Sequence, residues 1–197
     1  KYLFSGIFGK KIHLRAMDDN ILYVTKQLED HKLIFVPKEW IGSSIYTKGH
    51  YNRDIFENIF RLLNKHKLIK DKKYVIELGS NIGTHTIYMH LCNLFEHIYC
   101  IEADPENIKI LNQNLEINNL NKKTTVIPSA IFDYDGDIKL FKTINEFNSG
   151  YQSIIDIENS GKYINVECKT LISIFKDNSI DIDKIGFFWI DLEGIEF

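Results

Sequence analysis

Three stretches of the chain combine residue types that can hold a small polar ligand at the end of a strand. The first is Glu77-Leu78-Gly79-Ser80-Asn81-Ile82-Gly83, a glycine-bracketed turn directly after an apolar run. Residues without a β-carbon let the backbone bend beneath a ligand, while the opening turn of the next helix presents N–H donors to it. A dinucleotide fingerprint, G-x-G-x-x-G, would place glycine at position 81 to admit a pyrophosphate. Asn81 stands there instead. That disfavours NAD and suits a ligand without a pyrophosphate, such as S-adenosylmethionine, whose amino-acid portion can take hydrogen bonds from the loop.

The second stretch ends in Glu102, about twenty residues further on, where an acid can accept two hydrogen bonds from ribose hydroxyls. Capping the helix that opens at Pro105 is the competing role, and Asp104 is better placed for it. Glu77, just ahead of the glycine, could face the ammonium group of such a cofactor directly or through water; alone it would read as a surface carboxylate at a strand end. The third stretch carries Asp191 and Glu193, just past an apolar run, on the sheet edge where open α/β folds bind ligands. A carboxylate or imidazole there could take up a proton from a bound acceptor. Asp191 is the first candidate for base or acceptor orienter, and His85 the second. Contact with the cofactor's ammonium or a capping role is the alternative for Asp191, and simple packing the alternative for His85.

These residues need strands that end beside one another. Tyr74 to Leu78, His97 to Glu102, Thr124 to Ile127 and Ile185 to Ile190 are short apolar runs suited to buried parallel strands. Between them, helical spacing recurs: Ile55, Phe56, Ile59, Phe60 and Leu63 after Asp54; Ile87, Leu91 and Leu94 after Gly83; Ile108, Leu111 and Leu115 after Pro105. The alternation predicts a doubly wound α/β fold with a largely parallel sheet and right-handed crossovers. Asp135-Gly136, between Ile131-Phe132 and Ile138 to Phe141, has the form of a hairpin turn inserted beside that sheet. Ile164 to Lys169 alternates as a further strand, and Leu171 to Phe175 is expected to be a short helix. Residues 1–50 show no dominant period beyond a short strand at Lys32 to Val36 and form a lead-in or partial lid; residues 51–197 form the ligand-binding domain.

Composition narrows the partners. The 197 residues are 44% hydrophobic, 13% aromatic and 26% charged, within the range of a globular domain with a real core. A net charge of -3, from 24 Lys+Arg and 27 Asp+Glu, supplies no footprint for nucleic acid. Cys92, Cys100 and Cys168 lie far apart in apolar surroundings and, like the seven scattered histidines, show no metal-ligand spacing; no metal is expected. No apolar run of about eighteen residues is present, and Lys1 to Lys10 lacks a signal-peptide pattern. Neither a membrane partner nor secretion is expected, and the chain reads as cytoplasmic.

Val75 to Thr86, Ile101-Glu102-Ala103-Asp104-Pro105 and Trp189-Ile190-Asp191-Leu192-Glu193-Gly194-Ile195-Glu196, in that order and spacing, resemble the FkbM-type methyltransferases over about Gly49 to Phe197. The glycine turn is shared by many methyltransferases; the Asp-x-Glu-Gly-x-Glu stretch is more particular. The resemblance implies a class I, Rossmann-like enzyme that uses S-adenosylmethionine to methylate a hydroxyl oxygen on a sugar or polyketide-like small molecule. It would place Gly79, Ser80, Asn81, Gly83 and Thr84 at the methionine end, Glu102 at the ribose, and Ala103, Ser129 and Ala130 at the adenine. Two departures stand out. Asn52 follows Gly49-His50-Tyr51 where the family commonly has glutamate. In the family a further helix and strands follow the Asp-x-Glu-Gly stretch, so the sheet is expected to stop after its fourth core strand, leaving an apolar edge open to self-association. A module that binds S-adenosylmethionine without turnover is the alternative reading; a nucleic-acid methyltransferase, with neither a basic groove nor an Asn/Asp-Pro-Pro-aromatic motif, ranks below it.

Overall fold

The computed structural model describes residues 6–69, 73–142, 152–154 and 161–192. In chain order the elements are α1 (Ile7–Arg15), β1 (Val24–Gln27), β2 (Lys32–Phe35), α2 (Trp40–Lys48), α3 (Arg53–Lys65), β3 (Tyr74–Leu78), α4 (Thr84–Leu91), β4 (His97–Glu102), α5 (Pro105–Ile117), β5 (Thr124–Pro128), β6 (Ala130–Ile131), β7 (Gly136–Lys142), β8 (Gln152–Ser153), β9 (Tyr163–Lys169), α6 (Leu171–Asp177) and β10 (Ile185–Ile190).

The four apolar runs pair in parallel, in the order β10-β3-β4-β5. Strand side chains alternate between faces, and here both faces are covered. Val75, Ile98 and Cys100 pack against Phe56 and Phe60 of α3, Tyr88 and Met89 of α4, and Leu111 and Leu115 of α5. On the other face Ile76, Leu78, Ile101 and Ile127 meet Ile174 of α6 and Ile180. The fold is therefore the doubly wound α/β class that the alternation predicts. Each fully buried aliphatic side chain adds roughly 1.5–3 kcal/mol to it. β10 has β3 on one side and no strand on the other among the described residues; Phe187 and Trp189 pack inward, while Phe188 and Ile190 stay exposed.

The predicted hairpin is not formed. The second sheet runs β6-β9-β7-β8, so β9 lies between the two halves of the expected hairpin, parallel to β6 and antiparallel to β7. The Asp135 side chain, expected to close that turn, is engaged elsewhere: it accepts hydrogen bonds from the Thr170 backbone N–H (2.7 Å) and the Ser173 hydroxyl (2.6 Å). The carboxylate thus holds the start of α6, and β9 takes the place between β6 and β7.

Residues 1–50, read from the sequence as a lead-in with one strand, carry helices and a β1–β2 pair. Leu33 and Phe35 of β2 and Ile45 of α2 are fully buried against Ile82, Ile87 and Ile110. Two asparagines one turn apart, Asn114 on α5 and Asn118 just past its end, complete the seam by acting as a strand partner for β2. Asn114 accepts from Ile34 N–H (2.6 Å) and donates to Ile34 O (3.0 Å) and Ile82 O (2.8 Å); Asn118 accepts from Lys32 N–H (2.9 Å) and donates to Lys32 O (2.8 Å). Asn114 is fully buried, so removing its amide strands three backbone groups away from water. Asn114→Ala is expected to destabilise the fold by about 2–4 kcal/mol and Asn118→Ala, at the wetter end, by about 1 kcal/mol or less. Urea unfolding of the two variants checks the ordering, and equal losses would contradict it.

Candidate functional site

At the carboxyl ends of β3, β4 and β5 the chain encloses a cavity of about 360 Å3. Its floor is the turn after β3. Gly79 (φ 80°), Asn81 (φ 49°) and Gly83 (φ 83°) all take the left-handed conformation that glycine, and asparagine among other residues, tolerates best. Asn81 Oδ1 accepts from Ile82 N–H (2.7 Å), so the residue that replaces a fingerprint glycine closes its own turn. A β-carbon on Gly79 would lie 2.0 Å from Asp191 O, and one on Gly83 would lie 2.4 Å from Leu111 Cδ1.

β4 holds this turn in place. Ile101 O accepts from Gly79 N–H (2.9 Å) and Ser80 N–H (3.2 Å). Glu102 Oε2 accepts from Asn81 N–H (2.7 Å), and Oε1 from Ala103 N–H (3.0 Å) and Asp104 N–H (2.8 Å). Burial raises the Glu102 carboxyl above its ordinary value, opposed by those backbone bonds. Asp104 caps α5, accepting from Glu106 N–H (2.8 Å).

The cavity brings together Gly79, Ser80, Asn81, Thr84, His85, Glu102, Ala103, Ser129, Ala130 and Asp191 of the residues singled out by sequence. Gly83 shapes the turn without lining it. Glu193 lies outside the described residues. Glu77 sits behind the turn, fully buried, with Oε2 accepting from Thr86 Oγ1 (2.5 Å) and the Cys100 thiol (3.4 Å). Its Oε1 has no hydrogen-bond partner among the described residues.

His85 is packed between Phe56 (ring centroids 4.5 Å apart), Tyr51 (5.7 Å) and Trp189 (5.4 Å). Burial pushes it down to about 4, so the imidazole is neutral at pH 7. Its Nε2 and the Thr84 hydroxyl are buried without partners among the described residues. Unsatisfied buried polar atoms facing a cavity are what a ligand with complementary groups completes.

Sequence reasoning missed a further wall, formed by Glu39, Trp40 and Ile41 at the start of α2 with Tyr51, and also missed Asn107, Leu140 and Ile154. Only Asn107 had a usable signal, lying one turn into the helix after the Glu102 tip. Among the described lining residues there are three carboxylates, Glu39, Glu102 and Asp191, and no Lys or Arg. No group of His, Cys, Asp or Glu among the described residues could hold a metal, and no described helix is long and apolar enough to cross a membrane.

Burial pushes the Glu77 carboxyl up to about 7 from 4.5. The folded state thus holds this proton more tightly than the unfolded chain, and its stability falls as pH rises from about 4.5 to 7. Glu77→Gln has no such proton. Relative to the native chain it is expected to gain on the order of 3 kcal/mol between about pH 4.5 and 8, since each pKa unit is worth about 1.4 kcal/mol. Denaturant titrations at both ends of the window measure the gain; an offset that is the same at both pH values would refute it.

A search of curated proteins found no significant match. Among solved structures the chain is similar to the FkbM methyltransferase of Methylobacillus flagellatus KT, at 18% identity over 64% of this chain and 27% of that one, with a TM-score of 0.40. It is also similar to P. horikoshii TYW2 in complex with MeSAdo (15% identity, 59% and 39% covered, TM-score 0.39). A third is the M. jannaschii tRNA m1G37 methyltransferase (17%, 61% and 37%, TM-score 0.37). The chain spans 27% to 39% of these three structures. The model of the methyltransferase FkbM domain matches residues 77–197, more than half of the chain, and the chain belongs to that family.

Proposed function

We propose that this chain is the cofactor-binding part of an S-adenosylmethionine-dependent O-methyltransferase whose acceptor is the hydroxyl of a small molecule, a sugar or a polyketide-like compound. The observation that carries the reading is the cavity's charge: three carboxylates line it and no Lys or Arg does, among the described residues. S-adenosylmethionine carries a sulfonium and an ammonium, and attraction between opposite charges is strengthened in a partly dry cavity. The pyrophosphate of NAD and the phosphates of nucleic acid would meet the same carboxylates with repulsion.

In this reading Ser80, Asn81 and Thr84 hold the methionine end over the tight turn at Gly79. Glu102 holds the ribose through the lone pairs left by its backbone bonds, and Ala103, Ser129 and Ala130 flank the adenine. When bound, the cofactor supplies an electrophilic methyl group. Asp191, at the tip of β10 with its N–H bonded to Leu78 O (3.0 Å), orients the acceptor hydroxyl and accepts its proton. His85, neutral and unpartnered at Nε2 among the described residues, is the second group able to take a hydrogen bond there.

Calorimetric titration with S-adenosylmethionine, S-adenosylhomocysteine and NAD tests the cofactor reading. Binding of the first two without the third is expected, weakened by about tenfold or more in Glu102→Ala. Binding of NAD, or no loss in the variant, would overturn it. Methyl transfer to hydroxylated small molecules separates an enzyme from a module that only binds.

A further inference from the structure

We propose that Glu39, at the start of α2, receives the positively charged amino group of the ligand in the cavity, which on the reading above is the methionine end of S-adenosylmethionine. Glu39 lies outside the residues matched by the family model, yet it lines the same cavity as the glycine turn. The packing sets the start of α2 beside one end of that cavity. Ile41, two residues on, packs in one cluster with Ile82 and Ile87, and Ile82 directly follows Asn81. Tyr51 stacks on His85 in the first turn of α4. Ile41 thus packs the start of α2, and Tyr51 the loop after it, against the segment from Ile82 to Ile87; Ser80, Asn81 and Thr84 beside that segment line the part of the cavity that would hold the amino-acid arm.

Other carboxylates are less able to fill the role. Glu77 is turned into the core beneath α4 and does not line the cavity. Glu102 is occupied by three backbone N–H groups. Asn52 stands where a glutamate is common in the resemblance noted from the sequence, and it is exposed at the start of α3. Asp191 lines the cavity beside Gly79, but it is exposed, and the reading above uses it for the acceptor. Glu39 forms no ion pair among the described residues and does not cap its own helix through its side chain. Burial alone pushes its carboxyl up to about 7. A carboxyl drawn out of water with no cation beside it is completed by a ligand that brings one.

The test is calorimetry on the full chain and Glu39→Gln with three probes: S-adenosylmethionine, S-adenosylhomocysteine, and 5′-methylthioadenosine, which keeps the nucleoside and sulfur but lacks the amino-acid arm. Glu39→Gln is expected to weaken the first two by about tenfold or more and leave the third within about twofold. Unchanged methylthioadenosine binding also shows that the variant is folded. Equal weakening of all three, or no change in any, overturns the assignment. If the unaltered chain binds none of the probes, the cofactor reading itself fails, an outcome distinct from the failure of Glu39 alone.

Discussion

Glu102 gathers three backbone N–H groups onto one carboxylate, one of them from Asn81 in the preceding βα turn. That contact ties the end of β4 to the glycine turn after β3. Together with the two bonds that Ile101 O accepts, it makes the tips of two neighbouring strands a single rigid unit. The turn requires this support because three of its residues hold positive φ, and a left-handed residue other than glycine persists only where its surroundings over-determine it. Everything else at the site is arranged about that unit: α4 leaves from Gly83, Asp191 O closes on Gly79, and α5 begins from the Asp104 cap beside it.

The central sheet was legible because β3 and β4 are buried on both faces and read as short continuous apolar runs, while α3 and α5 bury one face and read with helical spacing. Tyr74–Leu78, His97–Glu102 and Ile185–Ile190 form over the residues that their apolar runs span. The same reasoning failed at Asp135-Gly136, where a local turn signal competed with a carboxylate that prefers the N-terminus of a helix distant in sequence. No periodicity rule carries information about that pairing. Residues 1–50 were opaque for a related reason. Their docking depends on side-chain amides of Asn114 and Asn118 imitating a strand, and an asparagine within or at the end of a helix signals nothing about its partner until the partner is present.

The glycine turn and the acid at the next strand tip were readable as chemistry, because spacing determines them. Orientation was not. Glu77 and Asn81 are close in sequence, yet one side chain enters the core and the other lines the cavity. Strand alternation places Glu77 on the α4 face, where Thr86 and Cys100 take it up. Glu39 is the converse: nothing around it in the sequence marks it, and only the folding of α2 onto Ile82 and Ile87 brings it to the site.

The placement of β9 between β6 and β7 has a consequence for how the molecule comes into being. During synthesis from the amino end, β6 and β7 emerge with no partner for each other and must wait for Tyr163–Lys169 before either can pair with it. β3 likewise has β4 early but gains β10 only when Ile185–Ile190 has been made. Such long-range pairings are slow to form and leave strand edges unsatisfied meanwhile. The glycine turn thus gains the packing of Asp191 against Gly79 late, and the wall contributed by Ser129 to Ile131 and Leu140 waits for β9. The lining of the cavity is therefore complete only once β10 has paired with β3 and brought Asp191 to Gly79.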